Sequence, residues 1–206
     1  MIQRHRTFPA CLLGIALISL ASFARAQEAG PPDIRVGDQW HFAVYDSVPS
    51  QVPNRVWMVK SVTPTAIEAT ENGLPLLLTP ELNLVESPRQ AESNHRMLSF
   101  PLQVGKRWRY ESHWTFKPKG SRGTVAVDVE VVGRERITVP AGEFDTFKLF
   151  ARGNLGGTSP TNTFYGGETT TTYWYAPAAR AIVKSRHHSP YLGATNIDLV
   201  AVRRAP

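Results

Sequence analysis

Apolar and polar residues alternate along most of this chain with a period of two, the spacing of a pleated strand with one buried face. Trp108, Tyr110, Ser112, Trp114 and Phe116 fall on one side of such a strand, and Arg109, Glu111 and His113 on the other. Val125, Val127, Val129 and Val131 alternate with Ala126, Asp128, Glu130 and Val132, which predicts a long half-buried strand over 124–137 with a bulge at Gly133. Trp40, Phe42 and Val44 alternate with His41, Ala43 and Tyr45. Their predicted partner is 56–62, reached through a loop that Pro49 and Pro53 keep out of any ladder. Asn72-Gly73 signals a tight hairpin turn. Further strands are predicted at 65–70, 76–79, 82–86, 144–151, 169–175, 181–187 and 196–203. Helical periodicity is scarce. Residues 87–94 read as one helical turn or a solvated loop, and 153–167 as a long Gly/Thr/Asn/Ser loop, mobile or functional.

One phrase occurs twice. Val36-Gly37-Asp38-Gln39-Trp40-His41-Phe42 returns 68 residues later as Val104-Gly105-Lys106-Arg107-Trp108-Arg109-Tyr110. Each copy opens a strand that pairs with a second one, so the repeat is a hairpin, spanning about 36–62 and 104–132. The predicted fold is all-β: a single domain of antiparallel strands, a curved sheet or incomplete β-barrel built from duplicated hairpins, with little helix.

The first residues change the picture of where this domain works. Arg4 and Arg6 precede the apolar run 11–21, and Ala24-Arg25-Ala26 is a small-x-small cleavage site. This is the pattern of a signal peptide, residues 1–26, leaving a β domain over 27–206 in the periplasm or outside the cell. No later segment is apolar enough to serve as a transmembrane helix. The single cysteine, Cys11, lies in the leader, so disulfides, thiolate metal sites and a cysteine nucleophile are excluded from the processed chain. The leader also holds three of the 23 Lys and Arg and none of the 17 Asp and Glu, leaving a net charge of +3. A surface so weakly basic implies no nucleic-acid partner.

The stretch Val139-Pro140-Ala141-Gly142-Glu143-Phe144, then Tyr173-Trp174-Tyr175-Ala176-Pro177, then Ile182-Val183-Lys184 resembles the TapB-like group of secreted bacterial proteins of unknown function. The resemblance covers about 102–187 and extends to the first half only through the Val-Gly-x-x-Trp phrase. It implies an envelope-located, curved or barrel-like β domain and carries no catalytic residues. Read from the residues, the same phrases are a tight turn at Pro140-Ala141-Gly142 followed by aromatic strands.

Candidate chemistry is thin. Glu143 and Asp145 are the nearest thing to a carboxylate pair, and they read as a solvated strand face beside a turn. His41, His95, His113, His187 and His188 show no metal-ligand spacing, and neighbouring His187 and His188 point to opposite faces of a strand. There is no Gly-x-Ser-x-Gly elbow, and Gly156-Gly157-Thr158 and Gly166-Gly167-Glu168 lack the lysine of a phosphate loop. No metal and no cofactor is expected. Lys106, Arg107, Arg109, Lys117, Lys119 and Arg122 form a basic patch that reads as a solvated hairpin tip more readily than as a contact for anionic lipid.

The aromatics carry the remaining signal. Core packing is their plain reading. The functional reading has Trp40, Trp57, Trp108, Tyr110, Trp114 and Trp174 lining an apolar trough, with 153–167 as its lid. The expectation is a non-catalytic binding domain for an apolar or amphipathic, lipid-like envelope component. The alternative is an interaction module that docks onto an envelope protein through a strand edge or the Gly-rich loop. A hydrolase is a distant third.

Overall fold

The computed structural model describes residues 28–46, 54–161, 163–190 and 193–205. The predicted leader, its cleavage site and the proline loop at 48–53 lie outside them. Fourteen strands follow in chain order: β1 (Glu28–Ala29), β2 (Gln39–Asp46), β3 (Arg55–Val62), β4 (Ile67–Glu71), β5 (Leu74–Leu78), β6 (Leu84–Glu86), β7 (Gln90–Ser93), β8 (Leu102–Gln103), β9 (Arg107–Phe116), β10 (Ser121–Val139), β11 (Gly142–Thr158), β12 (Phe164–Ala176), β13 (Ala181–Ser189) and β14 (Gly193–Arg203). A single 3₁₀ turn, Lys117–Lys119, is the only helical element among the described residues. No helix there is long and apolar enough to cross a membrane.

Twelve of these strands close into an antiparallel barrel in the order β10-β11-β12-β13-β14-β2-β3-β4-β5-β6-β7-β9, while β1 and β8 pair separately. Closure goes beyond the open or incomplete sheet that alternation allowed. It also gives each barrel strand a neighbour on both sides, leaving no unpaired edge strand in the barrel. The two Val-Gly phrases make the same turn. Gly37 and Gly105 both have positive φ, 94° and 87°, a conformation that favours glycine. In one, the Gly37 N–H donates to Val59 O and the Val59 N–H to Asp38 O; in the other, Gly105 donates to Val131 O and Val131 to Lys106 O. Each turn opens a strand (β2, β9) paired with the next long one (β3, β10). The ladder between β10 and β11 shifts register at Val131/Gly133, where the bulge was expected.

Residues 153–167 are not a free loop. Most of them extend β11 and β12, with Gly153 opposite Thr169, Gly156 opposite Gly166, and Gly157 opposite Gly123 on β10. The reason is steric. The Trp114 ring lies so close over this glycine wall that a Cβ at Gly157 would stand 2.5 Å from its Cζ2, and one at Gly123 2.6 Å from the same atom. Gly157, with Gly123 beside it, is a bed for an indole.

The turns at 63–66, 79–83, 140–141 and 177–180 lie at one end of the barrel, the floor, and those at 72–73, 87–89, 117–120 and 159–161 at the other, the mouth. The floor is filled. Trp40, Val59, Ile67, Leu78, Leu98, Leu102, Val131, Phe147, Leu149, Val183 and Leu199 are at most 2% exposed there. Trp40 donates its Nε1–H to Ala179 O at 2.9 Å, which anchors the turn beneath it. Asp38, fully buried, clasps the chain ends. It accepts the N–H of Arg35 at 3.1 Å and of Ala205 at 3.0 Å, and lies 3.6 Å from the guanidinium groups of Arg180 and Arg204. In the second copy the matching residue is Lys106, which reaches the carbonyl oxygens of Ser99 and Pro101 instead.

The outer wall carries charge along its strands. Arg109 pairs with Asp128 at 2.8 Å and Arg186 with Asp198 at 2.8 Å at mid-strand, and Arg107 with Glu130 at 2.9 Å and Arg136 with Asp145 at 3.1 Å nearer the floor. A lipid-facing barrel would carry an apolar band at mid-strand, so this wall is built to face water.

Candidate functional site

Above the floor the interior changes character. β9 points Tyr110, Ser112 and Trp114 inward, because their ladder partners on β10 are Val127, Val125 and Gly123. β7 lies on the other side of β9, with Glu92 opposite Trp114 and Gln90 opposite Phe116, so both side chains share that inner face. β12 and β13 add Thr171 opposite His187 and Tyr173 opposite Ser185. The result is a belt of hydroxyls, imidazoles and one carboxylate set among aromatic rings. Val127, Val129 and Ala151 below it are buried, whereas Tyr110, Thr169, Tyr173 and His187 keep accessible surface although they sit inside a closed wall. Twelve strands can enclose more interior than side chains fill, and these partly accessible groups lie at this level.

Glu92 is the centre of the belt. Its carboxylate accepts the Ser112 hydroxyl at 3.0 Å and the side-chain amide of Gln90. His95 stands 3.9 Å away through Nε2. The Nδ1 of His95 accepts the Leu84 N–H at 3.1 Å, which places the ring proton on Nε2, facing the carboxylate. The His95 ring packs edge-on against Tyr110, centroids 5.7 Å apart. On the neighbouring wall Thr171 Oγ1 and His187 Nδ1 are 2.8 Å apart.

Burial fixes the protonation of these groups. It pushes Tyr110 far above the ordinary phenol range, with Tyr173 and Glu92 adding to the effect. Burial also raises Tyr173, to about 12, against an opposing hydrogen bond from Thr171. It lowers His95, opposed by the charge of Glu92, and lowers His187, helped by His188. Near neutral pH the belt therefore presents neutral phenols and imidazoles. This is not the arrangement of an acyl-transfer triad: Ser112 donates to the Glu92 carboxylate, which stands between it and His95, so no serine–imidazole hydrogen bond is formed. Glu143 and Asp145 offer no alternative. Both are exposed, and Arg136 holds the Asp145 carboxyl below its usual range, the reverse of what a general acid requires. Among the described residues no cluster of His, Cys, Asp and Glu is placed to hold a metal ion.

The six aromatics named from alternation do not form one wall. Tyr110 and Trp114 line the belt. Trp40 and Trp57 face each other across β2 and β3, where Trp57 donates to Glu71 Oε2 at 2.9 Å and meets Phe42 edge-on at 5.3 Å. Trp108 donates to Arg96 O at 2.7 Å, beneath the segment that leads into β9. Trp174 stands on the outer face between Lys148 and Lys184, whose ammonium groups are 5.4 and 5.3 Å from its ring. Its neighbours Tyr173 and Tyr175 take the interior instead. Glu92, His95, Ser112, Thr171, Tyr173 and His187 complete the belt and were not singled out as binding residues. The alternation of Tyr173 and Tyr175 about Trp174 was the one signal that could have found part of it. Arg55, opposite Phe42, is a further inward-facing cation on a different wall.

Fold and site together define a closed, water-facing antiparallel barrel with a packed floor and a polar, aromatic belt above it. Solved structures share this architecture. A Bacteroides fragilis protein described as exported, with a YmcC-like fold, superposes with a TM-score of 0.56 at 15% identity, over 85% of this chain and 100% of its own. A Parabacteroides distasonis protein described as a lipoprotein superposes with a TM-score of 0.51 at 16% identity, over 85% and 99%. At such identities the likeness is one of fold. No family model and no curated protein matches the chain.

Proposed function

We propose that this chain is an exported, non-catalytic binding domain of the cell envelope that takes an amphipathic component polar end first, into the belt of its barrel. The observation that carries the reading is the division of the interior. Its lower part is filled with apolar side chains, and its upper part keeps accessible aromatic and hydrogen-bonding groups around Glu92. Such a site offers apolar contact and a few fixed polar partners, which is how small amphipathic ligands are held. The leader pattern and the description of fold neighbours as exported or lipoprotein support the location. Kinship with the TapB-like proteins belongs to the same proposal. The protein, purified from the periplasm without detergent, is expected to carry an amphipath that native mass spectrometry detects and denaturation releases. Ligand-free spectra from repeated preparations would remove the reading. Docking onto an envelope protein is a second reading, favoured by Phe164, which stands 74% exposed where β12 begins at the mouth.

A further inference from the structure

The geometry points to a primary ammonium group, carried by the polar end of that amphipath, as the chemical feature Glu92 recognises. This rests on the binding function proposed above and specifies its chemistry. Glu92 is only 9% exposed, yet among the described residues its one partner capable of positive charge is His95, at 3.9 Å. Burial keeps that imidazole neutral. A carboxylate inside a protein is costly unless paired and fully hydrogen-bonded. Two of the roughly four lone-pair positions of this one are taken, by Ser112 and Gln90. The others are left for a donor that enters from the lumen.

The surroundings favour a cation over a neutral hydroxyl. Tyr110 and Tyr173 both sense the Glu92 charge, which places their rings near it, and both keep some accessible surface on the inner face of the barrel. Aromatic faces beside a carboxylate attract an ammonium through both the ring quadrupole and the charge, and a compact –NH₃⁺ can donate to the carboxylate and to the phenol oxygens together. Ser112, Gln90 and His95 hold the carboxylate and Leu84 orients His95, so the site is formed before anything enters. A primary amine of this kind occurs on ethanolamine lipids and on amino sugars; the amphipath reading favours the lipid.

The test is isothermal titration calorimetry of the full processed chain with monomeric dihexanoyl phosphatidylethanolamine and dihexanoyl phosphatidylglycerol. The two lipids share a phosphate and acyl chains and differ by an ammonium against a diol. The ethanolamine lipid is expected to bind at least about tenfold more tightly, the scale of a hydrogen bond to a charged group. Glu92→Gln, checked for native circular dichroism, is expected to abolish that preference. The wild-type comparison stands without the variant. Equal affinity for the two lipids, or a preference that survives Glu92→Gln in a folded protein, overturns the inference while leaving amphipath binding intact. Binding of glucosamine with neither lipid bound would keep the ammonium chemistry and remove the lipid source. No binding of either lipid or of glucosamine removes the ammonium inference.

Discussion

Asp38→Ala is expected to destabilise the processed chain by about 3 kcal/mol, a drop of roughly 6–12 °C in Tm for a domain of this size. The carboxylate is fully buried, and the turn before β2, the turn before β13 and the C-terminal segment meet at it. Its removal leaves the N–H groups of Arg35 and Ala205 without this acceptor, Arg204 without this counter-ion, and Arg180 with Asp33 at 3.7 Å alone. Arg180 and Arg204 are 27% and 25% exposed, so water recovers part of the loss, which is why the figure stays at the low end for a broken buried pair. Arg204 also lies over the Trp40 ring at 5.5 Å, so the change should loosen the floor and shift tryptophan emission. Urea unfolding followed by fluorescence checks it. Asp145→Ala is the control: its pair with Arg136 lies in open solvent, and the midpoint should stay where it is.

The second large effect is expected in the glycine wall. Gly157→Ala should cost about 2 kcal/mol, because its Cβ would overlap the Trp114 ring at 2.5 and 2.7 Å. Here the closest obstacle is a side chain, with the Arg122 carbonyl oxygen next at 3.1 Å. Combining it with Trp114→Ala should therefore leave the double variant more stable than the sum of the two single losses, by about 1–2 kcal/mol. Gly123→Ala should behave differently. Its Cβ would fall 2.0 Å from Gly156 O and 2.6 Å from Gly157 Cα, atoms of the backbone, so removing the indole does not relieve it. A thermodynamic cycle over both pairs separates a bed built for Trp114 from a wall that tolerates no side chain. Additivity at Gly157–Trp114 would contradict this account of why the glycines are there.

These two sites also show what the chain made legible and what it did not. The Val-Gly-x-x-Trp phrases could be read because a glycine turn and a period-two aromatic strand are both local features. The inward set Trp108, Tyr110, Ser112, Trp114 and Phe116 could be read for the same reason. The glycines of 153–167 misled, because a strand glycine and a loop glycine look alike until the residue packed against it is known, and Trp114 lies some forty positions earlier. Trp174 misled through parity. Alternation separates it from Tyr173 and Tyr175 but cannot say which face is inside when both are aromatic. Glu92 was the least legible. A four-residue strand of mostly polar residues has no apolar stripe, and its inward direction follows only from pairing with β9. Polar interiors are the places where patterning loses its signal, and they are also where ligand sites are built.

The central claim is that the barrel interior is divided into a sealed floor and an accessible belt. Cys11 is the one cysteine of the sequence and precedes the β domain, so single thiols can be placed at will in a chain that begins at Gln27. Thr169→Cys faces the belt and Val183→Cys the floor, where the native residue is fully buried. Their reaction rates with a methanethiosulfonate carrying an ammonium group, measured on folded protein, decide the matter. The thiol at 169 should react in the native state and the one at 183 only as fast as the whole domain unfolds. Equal protection of the two would mean that the interior is solid throughout, and the binding account would fall with it.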